Sequence, residues 1–273
     1  MTLRKKQFFK NYRLANAITP GLAAIAAATV VSGCQSPISV PADNKLVSRS
    51  VTEGTPEAIY PDHAPAIPDG KMVWDQLSCA ECHGADGKGV AGKGGIDLTN
   101  KELMGTKKPV DQYMFLLFGQ PGRNHPKISD RVTRQQAWNL VFYCRSLSTP
   151  FLSQAEFDAI KPVFGANCAV CHGTKGYGDG PLAKYAVLEP NPANFQNFKR
   201  FYDRSDDTLY DHIANGIKWE GMPNFLNKED KAKGVKFDEA YIRKLVAFVR
   251  SFHSTNVATL AEAKVEPAGN AVK

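Results

Sequence analysis

Apolar and polar residues follow three different rhythms along this chain. From Leu14 to Val31 the chain is mostly apolar and Ala-rich, interrupted by Pro20-Gly21. Residues 35–65 carry Pro37, Pro41, Pro56, Pro61 and Pro65 among polar neighbours, the profile of an extended tether. From about residue 66 to 254, short stretches of helical period recur. Gly70-Lys-Met-Val-Trp74 and Phe157-Asp-Ala-Ile160 read as short amphipathic helices, and Tyr113–Phe118 and Tyr210–Asn215 as helices ended by Gly119 and Gly216. Two further helices are predicted at Trp138–Leu147 and Arg243–Phe252. No period-two run is evident, so the predicted class is all-α with no sheet. The Ala-rich tail, 255–273, is predicted to be disordered.

These helices come in pairs. Tyr113–Gly119 aligns without gaps to Tyr210–Gly216, and the same register sets His125-Pro126 against Met222-Pro223. The last helix of each half shares Leu-Val-x-x-x-Arg-Ser, ending at Ser146 and at Ser251. The chain is therefore a tandem repeat of one small helical module, spanning 66–150 and 151–254. The join near Ser148-Thr149-Pro150 is short, which predicts two modules resting on each other.

Charge changes the reading of the front end. The chain has 34 Lys+Arg against 27 Asp+Glu over 273 residues, a formal net charge of +7. Residues 1–33 hold Arg4, Lys5, Lys6, Lys10 and Arg13 and no acid. A basic start, an apolar run and Val31-Ser-Gly-Cys34 make a secretory signal peptide, the alternative being a membrane anchor of minimal length. The ending resembles the lipobox of bacterial lipoproteins, in which Cys34 is acylated and leads the mature chain, anchoring it to the periplasmic face of the cell envelope. Gln35 in place of Asp implies outer-membrane sorting. Without residues 1–33 the chain keeps 29 basic and 27 acidic residues, which removes the case for a nucleic-acid partner. Module 1 remains the more basic.

Four of the other five cysteines form one pattern twice: Cys79-Ala-Glu-Cys82-His83 and Cys168-Ala-Val-Cys171-His172. C-x-x-C-H is the attachment signature of c-type haem. Two thiols add across the vinyl groups of one haem, and the adjacent His is delivered to one axial face of the iron. A zinc site would need the two C-x-x-C pairs folded together and would leave the His after each pair unexplained, a thioredoxin-like pair has no use for that His, and a disulfide framework does not explain the repeated pentapeptide. Each motif is followed by a Gly-rich loop, which suits either close approach to a flat ligand or a plain surface turn. Cys144 reads as a small apolar residue packed in a helix, with haem ligation as the alternative.

Each half resembles a class I cytochrome c domain, and the resemblance covers residues 66–254. It implies one covalently bound haem c per module, with Cys79, Cys82 and His83 holding the first and Cys168, Cys171 and His172 the second. Gly221-Met222-Pro223 is similar to the distal-Met loop of that family, so Met222 is expected as the sixth ligand of haem 2. Module 1 departs from the family by carrying His125 at this position, which would make haem 1 bis-His and lower its potential. Met104, Met114 or an open position stay as alternatives there. His63, His212 and His253 are expected to be bystanders. The implied function is electron transfer between two haems and partner redox proteins, as a shuttle or as a subunit of a membrane respiratory or photosynthetic complex. The alternative is a dihaem oxidoreductase, similar to thiosulfate dehydrogenases, with a substrate-accessible haem in module 1.

Overall fold

The computed structural model describes residue 40 and residues 44–49, 56–149, 152–185 and 190–252, all within one compact unit. The expected signal segment, the acylated Cys34, His253 and the tail lie outside the described residues. Ahead of module 1 stand β1 (Val47–Arg49) and β2 (Pro56–Ala58); module 1 itself runs through α1 (Ile67–Gln76), α2 (Ala80–His83), α3 (Lys101–Gly105), α4 (Pro109–Phe118) and α5 (Arg134–Ser146). Module 2 repeats the helical part as α6 (Gln154–Asn167), α7 (Ala169–His172), α8 (Pro181–Tyr185), α9 (Phe198–Tyr202) and α10 (Asp206–Asn215). It closes with β3 (Glu229–Asp230), β4 (Val235–Lys236) and α11 (Glu239–Ser251). No helix among the described residues is long and apolar enough to cross a membrane.

The helices start where local chemistry dictates. Thr133 with Gln136, and Ser153 with Glu156, form reciprocal capping boxes at the heads of α5 and α6. Asn100 and Asn197 cap α3 and α9 through the same bond, to the backbone N–H three residues on. Both modules then cross their first and last helices. In module 1 the crossing is closest at Gly70, where any Cβ would strike the Asn139 carbonyl and the Tyr143 side chain. In module 2 the equivalent crossing is aromatic, with Phe164 and Phe248 at 5.1 Å between ring centroids.

Two expectations need correcting. The fold is helical as expected, but β1–β2 and β3–β4 are short antiparallel hairpins where no strand was expected. They escaped notice because two or three residues are too few to show a period of two. The tether is also partly structured. Leu46 is buried, its carbonyl accepts from Tyr113 Oη at 2.8 Å, and Asn44 Nδ2 donates to Val132 O at 2.7 Å. Trp138 Nε1 donates to Ile59 O at 2.9 Å, and the Tyr60 ring stacks on Trp138 at 5.7 Å. Residues 44–49 and 56–65 thus cover module 1, because an extended chain can bury single side chains without any helical pattern.

The two modules share one core. Tyr202 of α9, fully buried, enters module 1 and meets Trp138 at 4.9 Å and Phe142 at 4.8 Å. Four residues on, Asp206 receives Arg145 of module 1 at 2.7 Å and Arg250 of module 2 at 2.9 Å. These are the arginines of the two Leu-Val-x-x-x-Arg-Ser segments. Arg145 also donates to Lys107 O and Arg250 to Arg204 O, positions that correspond in the repeat. Burial alone would push the Asp206 carboxyl up, but the two guanidiniums outweigh it and hold the carboxyl below its ordinary range.

Removing one partner of a buried, hydrogen-bonded ion pair costs about 3–5 kcal/mol. Asp206→Ala is expected to destabilise the protein by that order, as measured by chemical denaturation. Because the folded pKa is depressed, this stabilisation is present above the ordinary carboxylate range, near pH 4. It is lost as pH falls through the folded value, so the wild type but not the variant should lose this increment on acidification.

Candidate functional site

Each C-x-x-C-H motif is wound into one helical turn. Cys79 O accepts from Cys82 N at 3.3 Å and from His83 N at 3.0 Å; Cys168 O does the same for Cys171 and His172, at 3.1 and 2.9 Å. This winding gathers two thiols and an imidazole along a single short helical turn. Both imidazoles are then fixed identically: His83 Nδ1 lies 3.1 Å from Ile96 O and His172 Nδ1 3.1 Å from Ala193 O. A carbonyl acceptor puts the ring proton on Nδ1 and leaves the Nε2 lone pair free for a metal. Burial, opposed only in part by the bond to Ala193, pulls the pKa of His172 down and favours that neutral form.

The Gly-rich loops serve this arrangement. A Cβ at Gly95 would run into the Cys82 carbonyl, and one at Gly180 into those of Ala169 and Val170. The glycines therefore let each loop fold against the backbone of its own motif. Burial pushes the Cys79 thiol up to about 11 and the Cys168 thiol up to about 12, so both are neutral thiols at neutral pH.

The opposite wall is built from a second pair of matched turns. Gln120 bridges His125, and Ile217 bridges Met222, with a one-turn 3₁₀ segment inside each bridge. Gly119 (φ 65°, ψ −169°) and Gly216 (φ 71°, ψ 177°) lead into these turns in a backbone region open essentially only to glycine. A Cβ at Gly119 would lie 2.5 Å from His125 O, and one at Gly216 2.6 Å from Met222 O. His125 and Met222 thus occupy the same place in the repeat.

In module 1 the His83 and His125 rings face each other with centroids 6.3 Å apart. Two imidazoles each about 2 Å from one shared metal ion would stand roughly 6 Å apart by centroid, so the spacing fits a bis-His centre. Burial holds the His125 pKa down, and its Nδ1 lies 3.0 Å from Pro126 O, again leaving Nε2 as the free nitrogen. Met104 is buried, with its sulfur 3.8 Å from Gln112 Nε2, and Met114 is half-buried against the core of α4. In module 2 a cavity of about 280 Å³ brings together Cys168, Cys171, His172 and Met222.

The remaining expectations divide. Cys144 sits in α5 against the core, its thiol pushed upward chiefly by burial. His63 contributes only backbone, bonding to Gln135. His212 lines the module 2 cavity, beside the turn that carries Met222 rather than in it. The repeat register held the signal, since His212 corresponds to Phe115, whose ring lies 4.5 Å from that of His125.

Both halves of the chain match known protein families. Residues 67–148 match the family model described as Cytochrome c. Residues 155–249 match that described as Cytochrome C oxidase, cbb3-type, subunit III. A curated relative, the Cbb3-type cytochrome c oxidase subunit FixP of Sinorhizobium medicae (strain WSM419), is 28% identical over 122 residues. The match takes in 42% of this chain and 41% of the relative, so the chain spans less than half of that protein's length. Among solved structures, the Kuenenia stuttgartiensis reducing HAO-like protein complex Kustc0457/Kustc0458 matches at 22% identity and a TM-score of 0.28. That match covers 71% of this chain and 99% of the other.

Replacing Gly119 or Gly216 by Ala forces a side chain into a backbone region that costs about 1–3 kcal/mol. Each variant is expected to lose stability of that order, and to disturb the spectrum of its own module while sparing the other. Denaturation curves and optical spectra of the two single variants check this.

Proposed function

The chain is a tandem of two cytochrome c domains, and on that premise we propose that it is a dihaem electron carrier held at a bacterial cell envelope. When bound, haem c supplies a one-electron iron couple whose potential depends on the axial ligands. In this reading Cys79 and Cys82 hold haem 1 with His83 and His125 as axial ligands. Cys168 and Cys171 hold haem 2 with His172 and Met222. The observation that carries it is the facing pair His83 and His125, 6.3 Å apart, at the point of the repeat where module 2 has Met222.

The chain's own residues do four things in this scheme. The Ile96 and Ala193 carbonyls keep the proximal rings turned with Nε2 inward. The Pro126 carbonyl does the same for His125. Gly119 and Gly216 bring the distal loops close enough for their ligands to reach. Tyr202 and the Asp206 ion pairs hold the two centres in one rigid unit, so that electrons pass between them without a docking step.

A Met ligand raises a haem potential relative to His. With His83 and His125 on one haem and His172 and Met222 on the other, the module 1 centre would be the lower in potential and the natural point of entry for electrons, and module 2 the point of exit toward a redox partner in a membrane complex. The relative FixP, named as an oxidase subunit, supports a complex of that kind. The lipobox-like Val31-Ser-Gly-Cys34 supports attachment through an acylated Cys34, facing the periplasm.

Potentiometric titration is expected to give two separate waves, the lower assigned to module 1. His125→Met should raise the lower wave and Met222→His should lower the upper one; two coincident wild-type waves would overturn the ordering. With both distal positions filled, the reduced protein should bind carbon monoxide slowly or not at all. Rapid binding at module 1 would instead favour the oxidoreductase reading. For the anchor, Cys34→Ser is expected to move the protein from the membrane to the soluble fraction and to abolish fatty-acid labelling.

A further inference from the structure

The segments ahead of module 1 are stitched to it, and the stitching begins early. Asn44 is held at both ends of its amide: Nδ2 donates to Val132 O at 2.7 Å, and Oδ1 accepts from Arg134 N at 3.1 Å. Two residues on, Leu46 is buried, and its carbonyl accepts from Tyr113 Oη at 2.8 Å and from Ile59 N at 3.3 Å. Farther along, Asp62 pairs with Arg134, and the His63 backbone bonds to Gln135. Module 2 builds the same caps and turns without such a lead-in, since α6 follows α5 after a short link. The stitches are therefore not needed to form a module.

What they do is shorten a leash. Cys34 stands ten positions ahead of Asn44, and ten residues reach at most about 36 Å when fully extended. A folded body of about 190 residues is roughly 40 Å across, so half its girth is roughly 60 Å. A chain fixed at Asn44 cannot bring the far side of that body to a surface in which Cys34 is anchored. Were the chain free as far as Pro65, about 31 residues could reach roughly 100 Å, and every face could turn inward.

The face at the stitch suits an anionic surface. Lys45 and Arg131, the chain neighbours of Asn44 and Val132, are both exposed, and among the described residues neither forms an ion pair. The other cations there are already offset, Lys127 by Asp130 at 3.4 Å and Arg134 by Asp62. Two unmatched charges attract anionic headgroups only weakly and only within a Debye length. A short leash supplies the remainder, because it holds this face at high local concentration against the surface.

We propose that the face of module 1 around Asn44, with Lys45 and Arg131, lies against the anionic lipid headgroups of the membrane that holds Cys34. The inference rests on the reading that Cys34 is acylated, and it goes further by assigning the side that faces the membrane. It also gives the stitched lead-in a function: it turns a free tether into a fixed mount.

The test uses the lipidated protein with both haems in place, in vesicles of phosphatidylcholine and phosphatidylglycerol and in detergent. Lysines are acylated with a water-soluble amine reagent, and the rate at each is read by mass spectrometry. Lys45 is expected to react severalfold more slowly in vesicles, while Lys231 and Lys233 of module 2 keep their detergent rates. A Gly/Ser insert of about twenty residues after Gln35 should leave the protein on the vesicles and weaken the protection of Lys45. Lys45 reacting equally in vesicles and detergent overturns the proposal, as does equal protection of all these lysines. Protection that is unchanged in vesicles of phosphatidylcholine alone removes the anionic headgroup as the partner. Protection in detergent that grows with protein concentration assigns the face to a second copy of the chain instead. Protein that carries no fatty acid and does not float with vesicles sinks the anchor reading itself, a result distinct from vesicle-bound protein whose Lys45 reacts freely.

Discussion

Asp206 between Arg145 and Arg250 is the interaction on which the rest of the molecule depends. One carboxylate takes Arg250 of module 2 on Oδ1 and Arg145 of module 1 on Oδ2, and so binds the two modules together. Buried ion pairs of this kind contribute little net stability but are expensive to break, so their value lies in fixing one arrangement. Here the arrangement fixed is the distance and angle between two centres. Tyr202 supplies the apolar half of the joint by filling the space beside Trp138 and Phe142.

The two halves agree where a centre is built and differ where they touch. The Cys-x-x-Cys-His turn, the carbonyl on the proximal ring, the Asn caps and the glycine before the distal loop recur position for position. At the joint the repeat is broken: module 1 has Gly105 and Pro109 where module 2 has Tyr202 and Asp206. The substitutions are complementary. A Cβ at Gly105 would already lie 2.9 Å from Asp207 Oδ1, so a large residue in the first copy would push the second away. Duplication alone produces two equal centres; divergence at these few positions makes one body of them.

A second divergence lies in the distal turn. His125 stands in module 1 where Met222 stands in module 2, inside the same bridged turn and behind the same glycine. One fold thus presents two different side chains at equivalent positions without changing its architecture.

Much of this was legible before any coordinates. Cys79-x-x-Cys82-His83 and its copy are local in sequence because the thioether bonds and the proximal ligand must reach one porphyrin from one helical turn. The equivalence of His125 and Met222 was legible through register, since a repeat carries position as well as composition. Helix class followed from periodicity. The joint was not legible, because Arg145 and Asp206 are 61 positions apart and each looks like an ordinary surface charge in its own helix. The packing of residues 44–49 and 56–65 was hidden for a similar reason, as a Pro-rich stretch shows no period whether or not it is covered. The place of His212 on the cavity wall was hidden too, because its neighbours on α10 say nothing of the crevice that the fold closes around it. The sequence by itself therefore determined which groups each centre is made from, a matter of short-range covalent geometry. Tertiary structure alone decided how the two centres are held together and which charges surround them, because those contacts join residues that only folding brings within reach.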